Sequence, residues 1–308
     1  MADYARLLDE EIHAFIARTN ASYPEDAAGL DIAGQRRVYD AMCADFHAGR
    51  PDGVAVEDRS VSKVPLRIYT AGEPSCTVLY LHGGGFLVGG LDSHDDVCAE
   101  ICAGTGYRVV AVAYRLSPEH KHPAAFEDAR TALEWVIESF EGPVVLAGDS
   151  AGGNLAAALA HSSRGKTRRI AGQVLIYPGL GGDSNATSYH DHAEAPMLSR
   201  SDLEFYDGIR ADGAPPRTDP TYAPLGDRDF RKLPRTVIFT AECDPLQSDG
   251  PAYADRLRQA EVPVHLVDEP GLVHGYLRAR HMSNRARESF ERIILAIEAL
   301  GQGLWPYD

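Results

Sequence analysis

The sequence predicts an α/β protein: a mostly parallel sheet with helices on both faces. Two observations carry the prediction. Short runs rich in Val, Leu, Ile and Ala recur, such as VLYL (78–81), YRVVAVAY (107–114) and PVVLAG (143–148), with no polar alternation to mark a wet face. Between them lie longer segments whose apolar residues return at helical spacing.

The elements follow in order. Residues 4–20 read as one helix, with Tyr4, Leu8, Ile12, Phe15 and Ile16 on a shared face, and 31–48 as a second with Val38, Met42 and Phe46; a Pro/Gly-containing loop joins them. GVAVEDRSVS and VPLRIYTA read as an antiparallel strand pair, and CTVLYLH (76–82) as a strand buried on both faces. A helix over 94–104, the strand 107–114, a helix over 123–140 begun by Pro123, the strand PVVLAG, a helix from Ser150 and the strand AGQVLIYP (171–178) continue the alternation. It pauses over roughly 180–233, a polar stretch rich in Gly, Asp and Pro with one helix-like piece, SRSDLEFYDGIR, which reads as an insertion. It resumes with TVIFTA (236–241), a helix over 250–260, VPVHLVDE (262–269) and a last helix over about 284–300 that Gly301 is expected to end, which brings the strands to eight.

Composition narrows the function. The chain has 308 residues and a formal net charge of −15, so phosphate backbones and anionic membrane surfaces would repel it. No apolar run reaches the ~18 residues of a membrane span. The opening segment MADYARLLDEEIHAF lacks the basic and apolar regions of a signal peptide, and five scattered cysteines imply no disulfide framework. The expectation is a cytoplasmic protein. Asn185 heads an acceptor tripeptide for glycosylation, discounted for want of a secretion route. Cys98 and Cys102, four apart on a helix, read as small buried apolar groups.

The chemistry is concentrated in GDSAG, between a buried strand and a helix. A serine on so sharp a corner forces its backbone into a strained region, and side chains on either side would collide with the neighbouring strand and helix, hence Gly148 and Gly152. Ser150 is thereby carried to the tip of the sheet. A serine hydroxyl needs a base, an acid that orients it, and donors for an oxyanion. The expected order is serine, acid, histidine. Loops after later strands supply Asp244 in ECDPLQSDG, with Glu242 as the rival acid, and His274 in GLVHGY. HGGGF places three glycine amides after a buried strand; no Lys-Ser/Thr follows and the G-x-G-x-x-G spacing is absent, which argues against a nucleotide loop.

HGGGF (82–86), YRLSPEHKHPAAFED (114–128), GDSAGGN (148–154), DPLQSDG (244–250) and HGY (274–276), in this order, resemble the hormone-sensitive-lipase-like family of α/β-hydrolase esterases, in its bacterial GDSAG branch. The resemblance runs from about residue 50 to the C-terminus. It implies an α/β-hydrolase fold with an eight-stranded sheet and a helical cap, divided as 1–50 (N-terminal cap helices), 51–180 (core), 181–233 (cap insertion) and 234–308 (core). It implies catalysis by Ser150, His274 and Asp244, an oxyanion hole from the amides of Gly84, Gly85 and Ala151, and support from His82, Gly83, Gly148 and Gly152. His82 would orient the glycine loop, and His120 and His122 would be scaffold. Ser117, where the family more often has alanine, is a minor departure.

The implied activity is hydrolysis of short- to medium-chain acyl esters through an acyl-enzyme, with no metal or organic cofactor. Amidase or peptidase chemistry with the same triad, and an inactive ligand-binding module, are the alternatives. Phe15, Val38, Met42, Met197, Leu198, Phe205 and Tyr206 are candidates for the substrate pocket. His190 and His192, in an exposed polar insertion, read as part of a solvated loop and not as a metal pair. A homodimer through the last strand is expected by analogy with the family.

Overall fold

A computed structural model describes residues 2–24 and 29–307 of the chain. The loop expected between the first two helices lies partly outside the described residues. Eight strands form one sheet: β1 (Ala55–Val61), β2 (Val64–Thr70), β3 (Thr77–Leu81), β4 (Arg108–Val112), β5 (Val144–Asp149), β6 (Ile170–Ile176), β7 (Arg235–Cys243) and β8 (Val264–Val273). Their order across the sheet is β1-β2-β4-β3-β5-β6-β7-β8, with β2 antiparallel to β1 and β4 and all other pairs parallel.

Helices α4 (Asp95–Thr105), α5 (Ala124–Ser139), α6 (Ala151–Ser163), α9 (Asp249–Gln259) and α10 (Asn284–Gly301) cover the sheet. Every residue of β3 and β5 is buried. Alternation along β3 divides the core: Val78 and Tyr80 belong to the layer holding residues of α4 and α10, Leu79 and Leu81 to the layer holding residues of α5 and α6. The chain leaves β3 for β4 on one side and returns to β5 on the other. This reversal opens a crevice beyond the C-terminal ends of β3 and β5, where open α/β sheets bind ligands.

Three refinements of the sequence reading have physical causes. The first expected helix is two, α1 (Tyr4–Leu7) and α2 (Glu10–Ala21). Leu8 turns extended, and the Asp9 carboxylate accepts the Ile12 amide at 2.9 Å as the cap of α2 while pairing with Arg285 at 3.0 Å. α10 ends at Gly301 as expected, but the glycine is its last helical residue and not a left-handed cap beyond it: a Cβ there would strike the Tyr107 ring, whose hydroxyl donates to the Glu298 carbonyl at 2.8 Å. Close packing, and not a left-handed cap, therefore requires that glycine. Finally, β8 runs on to Val273, past the expected end at 269, and delivers the chain directly to His274. The stretch 180–233 holds α7 (Thr187–Asp191), α8 (Arg200–Arg210) and a 3-10 turn at Pro224–Gly226, with no strand. The second expected helix is α3 (Ile32–Phe46).

Candidate active site

β5 ends at Asp149 and α6 begins at Ala151, so Ser150 occupies the corner alone, with φ 54° and ψ −117°. That region is costly for any residue with a side chain, by roughly 1–3 kcal/mol. The surrounding glycines explain how the corner fits. A Cβ on Gly148 would come within 2.5 Å of the Gly152 carbonyl carbon, and one on Gly152 would collide with the Leu81 carbonyl oxygen. The Ser150 amide donates to the Ile176 carbonyl at 2.8 Å, fixing the turn against β6.

Ser150, His274 and Asp244 are brought together by the ends of β5, β8 and β7. The Ser150 Oγ lies 2.8 Å from His274 Nε2, and His274 Nδ1 lies 2.6 Å from Asp244 Oδ2. Asp244 is fully buried and its other oxygen accepts the Leu246 amide at 2.8 Å, so the carboxylate is held from both ends. With Nδ1–H given to Asp244, Nε2 keeps its lone pair toward the serine hydroxyl, the arrangement a general base requires. The rival Glu242 is occupied elsewhere, accepting the Gly271 amide at 2.6 Å.

The glycine loop follows β3. Gly84 and Gly85 have φ of 121° and 60°, values that side chains rarely tolerate. His82 Nδ1 donates to the Gly83 carbonyl at 2.7 Å, and the Tyr114 hydroxyl donates to the His82 carbonyl at 2.7 Å while the two rings stack at 4.2 Å. Burial pushes the His82 imidazole down to about 3, so it is neutral and holds the loop without exchanging protons. The Gly84, Gly85 and Ala151 residues all line the cavity that holds Ser150 and His274.

That cavity measures about 730 Å³, within the range of sites that enclose small organic ligands. Val38, Met42, Met197, Leu198, Phe205 and Tyr206 line it, alongside Tyr39 and Tyr177. Phe15 does not: its side chain is fully buried and packs edge-on against Phe46 at 5.4 Å, because its face of α2 turns into the core. His192 Nδ1 meets the Tyr4 hydroxyl at 3.1 Å, and His122 Nε2 meets Asp219 at 3.3 Å. Among the described residues no group of three or more metal-ligating side chains is assembled, and all five cysteines are free and buried.

Sequence reasoning missed several groups around the site. Arg210, at the end of α8, is buried between the Phe86 and Tyr222 rings, 3.6 and 4.0 Å from their centres, and donates to Asn154 Oδ1 at 3.1 Å. Arg278 donates to the Tyr39 hydroxyl at 2.6 Å and to the Ser93 carbonyl at 3.1 Å. Asp149 is buried among four polar groups. Asp149 lies inside the GDSAG motif but is not singled out by it, because its partners, dispersed through the chain, leave no local signal.

Comparison with known proteins shows the family. The alpha/beta hydrolase fold family matches residues 78–278. A carboxylesterase of Mycobacterium tuberculosis, NlhH, is 36% identical over 262 residues, spanning 79% of this chain and 82% of its own. The chain belongs to the hormone-sensitive-lipase-like family of α/β-hydrolase esterases. Within this esterase family, an ethyl acetate hydrolase of Pseudomonas putida is 33% identical over 294 residues, covering 89% of this chain and 91% of that protein. The solved esterase of Pyrobaculum calidifontis superposes with a TM-score of 0.83 at 31% identity, over 88% of this chain and 94% of its own.

Proposed function

We propose that Ser150 is the nucleophile, His274 the general base and acid, and Asp244 the group that orients His274. The chain is a carboxylic ester hydrolase. The observation that carries the assignment of roles is the continuous hydrogen-bond path Ser150 Oγ–His274–Asp244, at 2.8 and 2.6 Å. In acylation the Ser150 oxygen adds to the ester carbonyl and its proton passes to His274 Nε2. The carbonyl electrons become an oxyanion facing the amides of Gly84, Gly85 and Ala151. The tetrahedral centre collapses, the alcohol leaves with the proton from His274, and water repeats the sequence to release the acid.

Thr19, Tyr23, Leu30, Val38 and Met42, with residues from within 179–217, contribute to the cavity walls, which supports reading the N-terminal helices and the insertion 181–233 as a cap over the site. The substrates we assign are short- to medium-chain esters, in keeping with the ethyl acetate hydrolase among its relatives. The buried free thiols fit a reducing, cytoplasmic setting. β8 is an edge strand, and we assign a homodimer built across it.

The test is turnover of p-nitrophenyl butyrate and palmitate by the wild type and Ser150→Ala, with mass spectrometry after fluorophosphonate treatment. Expected are faster turnover of the butyrate, a fall of about 10⁴-fold or more in kcat for the variant, and a single adduct on Ser150. An inert, unlabelled wild type would overturn the assignment of Ser150. A preference for palmitate would overturn the chain-length assignment.

A further inference from the structure

We propose that Asp149 is a positioning residue for the esterase reaction: its carboxylate ties the oxyanion loop to the nucleophile corner. The inference rests on the roles assigned above to Ser150 and the glycine loop, and concerns a residue that those roles leave unused.

Asp149 is the residue before the nucleophile and is buried, with 4% of its surface exposed. Its Oδ1 accepts the Gly83 amide at 3.0 Å and the Tyr80 hydroxyl at 2.8 Å. Its Oδ2 faces His94 Nε2 at 3.3 Å and the Tyr177 hydroxyl at 3.5 Å. The Gly83 bond is the informative one. Gly83 opens the glycine loop, and a Cβ there would strike the Asp149 carboxylate, so the loop lies directly on this side chain. One carboxylate thus joins the backbone of the corner that carries Ser150 to the backbone that presents the oxyanion donors. Stabilising an oxyanion requires donors placed to within a few tenths of an ångström relative to the nucleophile. A link one residue from each is the shortest available.

A buried carboxylate beside a developing oxyanion would ordinarily be a liability. Here its charge is answered by its neighbours. His94 Nδ1 bonds the Ser93 hydroxyl at 2.9 Å, and Arg278 donates to the Ser93 carbonyl at 3.1 Å. Among the described residues Arg278 makes no ion pair with a carboxylate within 4 Å, so its charge balances Asp149 across this short bridge. What the loop needs from Asp149 is therefore an acceptor of the right shape. Asparagine can supply it, with its carbonyl oxygen toward Gly83 and Tyr80 and its amide toward Tyr177 and an acceptor nitrogen of His94.

The experiment compares wild type, Asp149→Asn, Asp149→Ala and the near-isosteric Asp149→Leu in kcat and KM for p-nitrophenyl butyrate. It adds the inhibition constant of an alkyl trifluoromethyl ketone. In that adduct the Ser150 oxygen bonds to the ketone carbon, its proton passes to His274, and the former carbonyl oxygen rests as O⁻ on the glycine amides. The inhibition constant therefore reads the oxyanion site separately from substrate binding. Asp149→Ala and Asp149→Leu are expected to lose about 100-fold in kcat, with KM within about 3-fold and the inhibition constant raised in step with the loss. Asp149→Asn is expected to stay within about 5-fold on all three. Near-wild-type kcat in the Ala or Leu variant overturns the proposal, as does a loss confined to KM, or an Asn variant as impaired as the other two. Should neither Ala nor Leu fold, the Asn variant decides: retained kcat supports the link, and a folded but impaired enzyme refutes it. An inactive wild type would instead count against the roles of the triad, and is thereby distinguished.

Discussion

At the scale of single residues, Ser150 shows how stability and chemistry oppose each other. Its φ of 54° is imposed by the corner and contributes nothing to folding. Glycine adopts that backbone freely. Ser150→Gly is therefore expected to abolish esterase turnover and yet raise stability by about 1 kcal/mol, while Ser150→Ala abolishes turnover without that gain. Thermal unfolding of the three proteins checks this; a glycine variant no more stable than the alanine variant would show that the corner is unstrained. The proposed triad could be picked out of the sequence because each member follows a strand and the chain order of the roles is restrictive. Phe15 was misread because helical periodicity identifies a buried face without saying whether that face meets the core or a cavity. The Asp149 cluster was illegible because Tyr80 and Gly83 precede it by more than sixty positions, and only the pairing of β3 with β5 brings them alongside.

Between elements, the insertion is fastened to the core by buried polar side chains as well as by an apolar cluster of Tyr189, Leu198 and Leu246. Asp249, the first residue of α9, is buried; its Oδ2 accepts the amides of Leu180 and Gly182 at 2.7 and 3.3 Å, and its Oδ1 accepts the Tyr189 hydroxyl of α7 at 3.0 Å. A second fastening is Arg210, held between Phe86 and Tyr222 and bonded to Asn154, while the capping box of Ser199 and Asp202 orders the start of α8 within the insertion. Polar anchoring suits a segment whose composition lacks the apolar stripe of a core helix, which is why the sequence read it only as an insertion. It also makes the attachment pH-dependent. Burial raises the Asp249 carboxyl to about 6, above its ordinary 3.8, and the nearby Asp244 carboxylate pushes in the same direction. Between these two values the folded protein holds more protons than the unfolded chain, so this group's contribution to stability falls as pH rises from about 4 through 6. Asp249→Asn keeps an acceptor for the amides and removes the titration. The difference in Tm between the variant and the wild type should therefore grow in the variant's favour from pH 4.5 to pH 7.5, by a few degrees, corresponding to on the order of 2 kcal/mol. A difference that stays constant with pH would place the ordinary carboxylate value at Asp249.

Across the whole molecule, the site is assembled at one end of the sheet while the sheet's long edge is left open. β8 pairs with β7 along one side, and no strand of the described residues covers the other. Open edges are usually blunted by charge, proline or a covering loop. Along the first part of β8, from Val264 to Val267, the residues are half-buried and apolar or aromatic, and the helix beside it presents Leu295 at 60% exposure, with Leu304 at 55% just beyond. These leucines border the same shallow cavity as His265, whose ring stacks on Tyr307 at 4.1 Å. A second copy related by a two-fold axis would set β8 against β8, continue the sheet, and cover both leucines at once, the self-complementary contact that a two-fold dimer requires. Light scattering is expected to give about twice the chain mass of 33.4 kDa at micromolar concentration. Leu295→Glu should shift the equilibrium toward the single chain by about tenfold or more, since it brings two like charges near the axis. The triad lies at the ends of the strands and not along this edge, so kcat should be unchanged by the substitution. A wild type that scatters as one chain at all concentrations would mean that β8 is left uncovered, and that the exposed charge of Asp268 suffices to keep it from pairing.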